Sequence, residues 1–142
     1  MSLTLDSKFD QDQQTATWST TDAALAAGGI AGLTITAYIH LTEMSDKFAE
    51  VPYLGVGYAL LVIACVAAAV LIVKGDRRGW MLGGGVCLAT IVGFVLTRTT
   101  GLPATKDDIG NWSESIGTYS LIAEGVVVVL AAIALRRPSQ TA

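Results

Sequence analysis

The stretch Leu60–Val73, LLVIACVAAAVLIV, decides the fold. It carries no charge, and its most polar side chain is a cysteine. A helix on a soluble core needs a polar face at a period of 3.6, and this stretch is apolar all round. Read outward, the apolar region runs from about Tyr53 to Val73. That matches the roughly 17 to 25 residues that cross about 30 Å of hydrocarbon at about 1.5 Å per residue. Three similar regions run from about Ala23 to Leu41, Trp80 to Thr97 and Thr118 to Leu135. None holds an internal proline. The run Val126-Val127-Val128-Val129 would suit a strand in water. In lipid a lone strand leaves its backbone unpaired, so a helix is expected.

Composition leads to the same class. The chain has 142 residues, enough for one domain. Only 15% are charged, against about 25% in soluble domains. That charge content, with 52% hydrophobic residues, excludes a disordered chain. Nine Lys and Arg face twelve Asp and Glu, with no basic run, which argues against nucleic-acid binding. The expectation is an all-α protein, a four-transmembrane-helix antiparallel bundle. A polar N-terminal tail (1–22) precedes the helical domain (23–135), and a basic C-terminal tail (136–142) follows it.

Basic residues set the expected direction. Lys74, Arg77 and Arg78 follow the second span, and Arg136 and Arg137 follow the fourth. The other two connections, about Thr42–Pro52 and Arg98–Gly117, hold Lys47, Arg98 and Lys106 among six acids, Glu43, Asp46, Glu50, Asp107, Asp108 and Glu114. The positive-inside rule then places both termini in the cytoplasm and the acidic loops outside. Trp80 and Trp112 suit interfacial anchoring. The first 22 residues have no basic stretch beside an apolar one, so the first span is expected to remain as an anchor. Cys65 and Cys87 fall within spans and form no CxxC, so they are expected to be reduced packing residues.

Small residues mark the expected helix contacts. Gly28 and Gly32 lie one turn apart in the first span, as do Gly79 and Gly83 in the third. This spacing lets backbones approach closely, within the chain or against a partner helix.

Ionisable groups inside a span are costly, and each is a functional candidate. Glu124 is the clearest, about six residues into the fourth span. His40, Glu43, Tyr58, Arg98, Tyr119 and Glu124 are expected to gather in the outer half of the bundle. Pairing of Arg98 with Glu124 is the simplest arrangement, either pinning two helices or building a polar, proton-bearing site. Arg98 is also placed to cap the carbonyls ending the third span. His40 is the one histidine, too few for a bis-His haem or a His-rich metal site. No phosphate loop, GxSxG or HExxH occurs, so no catalytic residue, metal or cofactor is expected.

Tyr38-Ile39-His40-Leu41, Tyr53-Leu54-Gly55, Thr97-Arg98-Thr99-Thr100-Gly101-Leu102-Pro103 and Glu124 resemble a group of small four-helix actinobacterial membrane proteins. The similarity covers about residues 37 to 135, and the Arg-Thr-x-Gly-Leu-Pro element is its specific part. The resemblance implies a bacterial, multi-pass cell-membrane protein and attaches no activity. Two functional expectations follow. One is a non-enzymatic accessory subunit of a larger membrane complex, a respiratory assembly among the hosts, with membrane-protein partners or a homo-oligomer in the bilayer. The other is a ligand-binding or proton-linked polar site around Arg98, Glu124 and His40. An interfacial enzyme ranks last, since His40 has no neighbouring nucleophile.

Overall fold

The computed structural model describes residues 18–138, and most of the expected N-terminal tail lies outside them. Among the described residues four helices make the fold: α1 (Thr20–Glu50), α2 (Pro52–Val73), α3 (Arg77–Thr99) and α4 (Ser115–Arg136). A single 3-10 turn, Lys106–Asp108, interrupts the connection between α3 and α4. All four helices are long and apolar enough to cross a membrane.

Each helix has a physical start and stop. Ser19 caps α1, its Oγ accepting the Asp22 N–H at 3.1 Å. Asp76 caps α3 by accepting from the Arg78 N–H at 2.9 Å. Pro52 opens α2 at a position whose N–H would be unpaired in any helix. Between α2 and α3 the chain reverses over three residues, with Gly75 at φ 72°.

The first helix departs from the sequence expectation. The region about Thr42–Pro52 is not a loop, because α1 continues through it to Glu50 and only Val51 separates α1 from α2. Nothing between Thr42 and Glu50 breaks a helix, and Pro52 is the first residue that does. The apolar stretch ends where lipid would end, whereas the helix ends at the proline. At 31 residues, α1 is about 46 Å long and outreaches the hydrocarbon layer.

The helices form a ring in which α1 packs on α2 and α4, and α3 packs on α2 and α4. Its centre is lean: Leu33, Cys65, Ala68, Ile72, Cys87 and Val127 are almost fully buried. Both cysteines are free. The outside is apolar as well. Leu60 is 62% exposed, Ile63 64% and Val129 59%. In water such faces would aggregate, whereas in a bilayer they meet lipid tails. The architecture fits an integral, multi-pass membrane protein.

Close glycine contacts tie the ring together. A Cβ on Gly79 would lie 2.7 Å from the Ile72 nitrogen and 2.8 Å from the Ala68 carbonyl oxygen. Gly83 sits against Leu33 and Ala68, Gly32 against Val127 and Gly28 against Leu130. Trp80, half-buried, lays its ring over Gly29. At the same end of the bundle, Arg77 donates to the carbonyls of Leu135 (2.6 Å) and Arg137 (2.8 Å). Arg137 in turn bonds Asp22 at 3.0 Å. This is the basic end; the end holding Val51 and the 100–114 connection is the acidic one.

Candidate functional site

A cavity of about 510 Å³ opens within the acidic half of the bundle. All four helices wall it, together with Leu102, Asp108 and Glu114 of the 100–114 connection. Its size falls within the range of small-molecule sites, about 300 to 1,000 Å³.

Glu124 lies on the cavity wall and is 1% exposed. Helix α4 places Ser120 one turn earlier, and its hydroxyl donates to Glu124 Oε1 at 2.7 Å. From α1, His40 brings Nε2 to 3.8 Å from the same oxygen. The other ring nitrogen, Nδ1, sits 2.9 Å from the Thr36 carbonyl oxygen, an acceptor that fixes the proton on Nδ1. Nε2 is then left without a proton in the neutral ring and faces the carboxyl group. Tyr58 from α2 stacks edge-on to His40, with ring centres 4.6 Å apart. His40 is 5% exposed, since α1 runs on past it. It is a mid-helix group inside the bundle, not one at a helix end.

Arg98 forms a separate cluster. It occupies the last turn of α3 and is 6% exposed. Its Nη1 lies 2.8 Å from Asp108 Oδ1, and its Nη2 pairs with Glu114. The guanidinium also sits 4.8 Å from the centre of the Phe94 ring. The expected pairing of Arg98 with Glu124 gives way to these two carboxylates. Glu114 immediately precedes α4, whereas Glu124 lies ten residues further on, about 15 Å along the axis. Arg98 does not cap its own helix. The N–H groups of Thr100 and Gly101 bond the Leu96 carbonyl, and that of Gly110 bonds the Arg98 carbonyl.

The 100–114 connection is folded tightly over this end. Leu102 N–H donates to Thr105 Oγ1 at 2.8 Å, and Tyr53 Oη donates to the Pro103 carbonyl at 2.7 Å. Gly101 and Gly110 take positive φ, and so does Ala104 at 63°.

The structure therefore divides the six sequence candidates. His40, Glu43, Tyr58, Arg98 and Glu124 line the cavity. Tyr119 is 65% exposed and stands apart from it. Lys47, Asp108, Glu114 and Ser120 are on the wall as well, and none of them stands out as a site residue in the sequence. Ser120 was legible as the i−4 neighbour of Glu124 on one helix face. Lys47 bonds Glu50 at 2.7 Å. Among the described residues no group of three or more His, Cys, Asp or Glu could hold a metal ion.

No family model, curated protein or solved structure matches the chain.

Proposed function

We propose that this protein binds a small molecule inside a membrane-embedded helical bundle, with His40 and Glu124 as the polar groups that meet it. Glu124 carries the reading. A carboxyl group held within a span costs about 2.5 to 3.5 kcal/mol and is retained where it faces a cavity or a partner. Here it meets a cavity, a serine and a histidine. His40 Nε2, 3.8 Å from Oε1, is a second proton-accepting group beside the carboxyl group, so ligand binding and proton binding are coupled in this reading. The cavity favours binding over the accessory-subunit role, because lipid tails satisfy the exposed apolar faces without a protein partner.

The same proposal includes an orientation. Helices run alternately up and down, with both termini and the 74–76 connection in the cytoplasm and the cavity toward the outer face. Supporting it, Lys74, Arg77, Arg78, Arg136 and Arg137 share one sequence pattern of basic ends, and the Arg77 bonds to Leu135 and Arg137 bring two of those segments together.

Native mass spectrometry from mild detergent tests the binding. Gly93 lies on the cavity wall, and a Cβ there would meet nothing within 4 Å. Gly93→Leu should fill the space. Wild type is expected to retain a small-molecule adduct that Gly93→Leu loses at unchanged helicity. Identical adduct patterns in the two proteins would overturn the proposal.

A further inference from the structure

The cavity is unevenly charged. Its wall holds the carboxylates Glu43, Asp108, Glu114 and Glu124 against the cations Lys47 and Arg98. Both cations are already engaged, Arg98 with Asp108 and Glu114, Lys47 with Glu50. Glu43 and Glu124 have no cationic Lys or Arg partner among the described residues. Of the two, Glu124 is the buried one, and its single hydrogen bond among the described residues uses only Oε1. An anionic guest would meet this excess of negative charge with no free cation to receive it. A cationic guest would offset that excess and meet the Glu124 oxygen that no hydrogen bond uses.

Most of the rest of the wall is apolar. Leu60, Leu61 and Ala64 of α2 and Val86 and Ala89 of α3 are part of this wall. Leu60 is at once on the wall and 62% exposed, so the cavity opens sideways between α2 and α3. Tight contacts close the neighbouring seams at this end. Phe48 of α1 is pressed onto Gly55 of α2, and Phe94 of α3 onto Gly117 of α4. The α2–α3 seam is closed by its glycines only at the other end, where Gly79 meets Ala68 and Ile72. On the open stretch, Gly57 and Gly93 present no side chain, and a Cβ on either would meet nothing within 4 Å.

We infer that the ligand is a lipophilic organic cation, a protonated amine or a permanently charged onium, that enters from the lipid between α2 and α3 and sets its charge against Glu124. This rests on the binding reading above and names its ligand class. The apolar body lies between Leu60, Ala64, Val86 and Ala89, and Tyr58 offers an aromatic face near the charge. The groups around Glu124 are His40 from α1, Tyr58 and Cys65 from α2, Cys87 from α3 and Ser120 from its own helix. Lower pH protonates Glu124 and His40, and both changes disfavour a cation. Uptake by protonated Glu124 therefore releases one proton.

Two probes of nearly equal shape and opposite charge test this, tetraphenylphosphonium and tetraphenylborate. Equilibrium dialysis of the full chain in detergent, against empty micelles, gives each affinity. Tetraphenylphosphonium is expected to bind, tetraphenylborate not. Glu124→Gln, at unchanged helicity, should weaken phosphonium binding by at least about tenfold, as expected for removing the one buried counter-charge. Should that variant fail to fold, the wild-type protein still decides. Its phosphonium affinity must fall between pH 8 and pH 5, with proton release on binding. Equal or tighter binding of the borate, no phosphonium binding, or affinity indifferent to pH or to Glu124→Gln would each overturn the inference. The adduct comparison between wild type and Gly93→Leu stands apart from these outcomes. An adduct lost in Gly93→Leu without phosphonium binding would refute the cation and leave the binding site in place.

Discussion

The two ends of this bundle solve the same packing problem in opposite ways. At the basic end, Gly79 meets the backbone of α2, and Trp80 covers Gly29. Helices there touch through their main chains, and little space is left. At the acidic end, Gly57 and Gly93 face open space, and about 510 Å³ is unfilled. At the basic end glycine lets main chains meet, whereas at the acidic end Gly55 and Gly117 receive aromatic rings and Gly57 and Gly93 leave room. The difference shows that a small-residue spacing says where backbones have freedom, and only the partner surface says how that freedom is used. It also assigns labour: the basic half holds the bundle together, and the acidic half is free to carry a site.

The largest effect should come from the clamp that closes the acidic end. Arg98 is buried, whereas Asp108 and Glu114 are each more than one-third exposed. Replacing both carboxylates, Asp108→Asn with Glu114→Gln, strands the guanidinium. A stranded buried charge costs about 3 to 5 kcal/mol. Arg98→Met should cost less, since the charge leaves with the side chain and the two acids remain in contact with solvent. Thermal unfolding in detergent ranks the variants. If Arg98→Met proves the more damaging, the arginine is held by its packing on Phe94 and not by the acids.

Next in size is the packed end itself. Gly79→Ala puts a methyl group against main-chain atoms that cannot move aside singly. Overpacking of this kind costs about 1 to 3 kcal/mol. Gly57→Ala, at the roomy end, should instead gain about 0.5 to 1 kcal/mol, as a helix-interior glycine with nothing within 4 Å of the new methyl group. Equal losses at the two positions would erase the distinction between the ends.

Much of this frame was legible in the chain. LLVIACVAAAVLIV admits no polar face, and four such stretches specify four spanning helices before any contact is known. The end of α1 was not legible from apolarity, since Thr42–Glu50 is polar yet has no helix breaker. The site was legible as a set of residues and not as a set of pairs. His40 and Glu124 both stood out as costly inside a span, but their approach depends on α1 packing against α4. In the sequence alone Arg98 falls to the wrong acid, because rarity draws attention to Glu124. Register decides the matter: the last turn of α3 is level with the first residues of α4, and Glu114 is there.

The smallest effect is the sharpest probe of the difference between the ends. Gly93→Ala and Gly85→Ala are both helix-interior changes with nothing within 4 Å of the new methyl group. Each should gain about 0.5 to 1 kcal/mol from the lower flexibility of alanine. They differ in surroundings, since Gly93 lines the cavity and Gly85 does not. Matched gains in thermal stability would leave the cavity's openness as the only thing separating the two positions. A bound phosphonium ion would then break the match. In its presence Gly93→Ala should lose its advantage, because the methyl group competes for the ligand's volume, while Gly85→Ala keeps its own. If the ligand leaves both gains intact, it does not occupy the space beside Gly93, and the roomy end of the bundle holds it elsewhere or not at all.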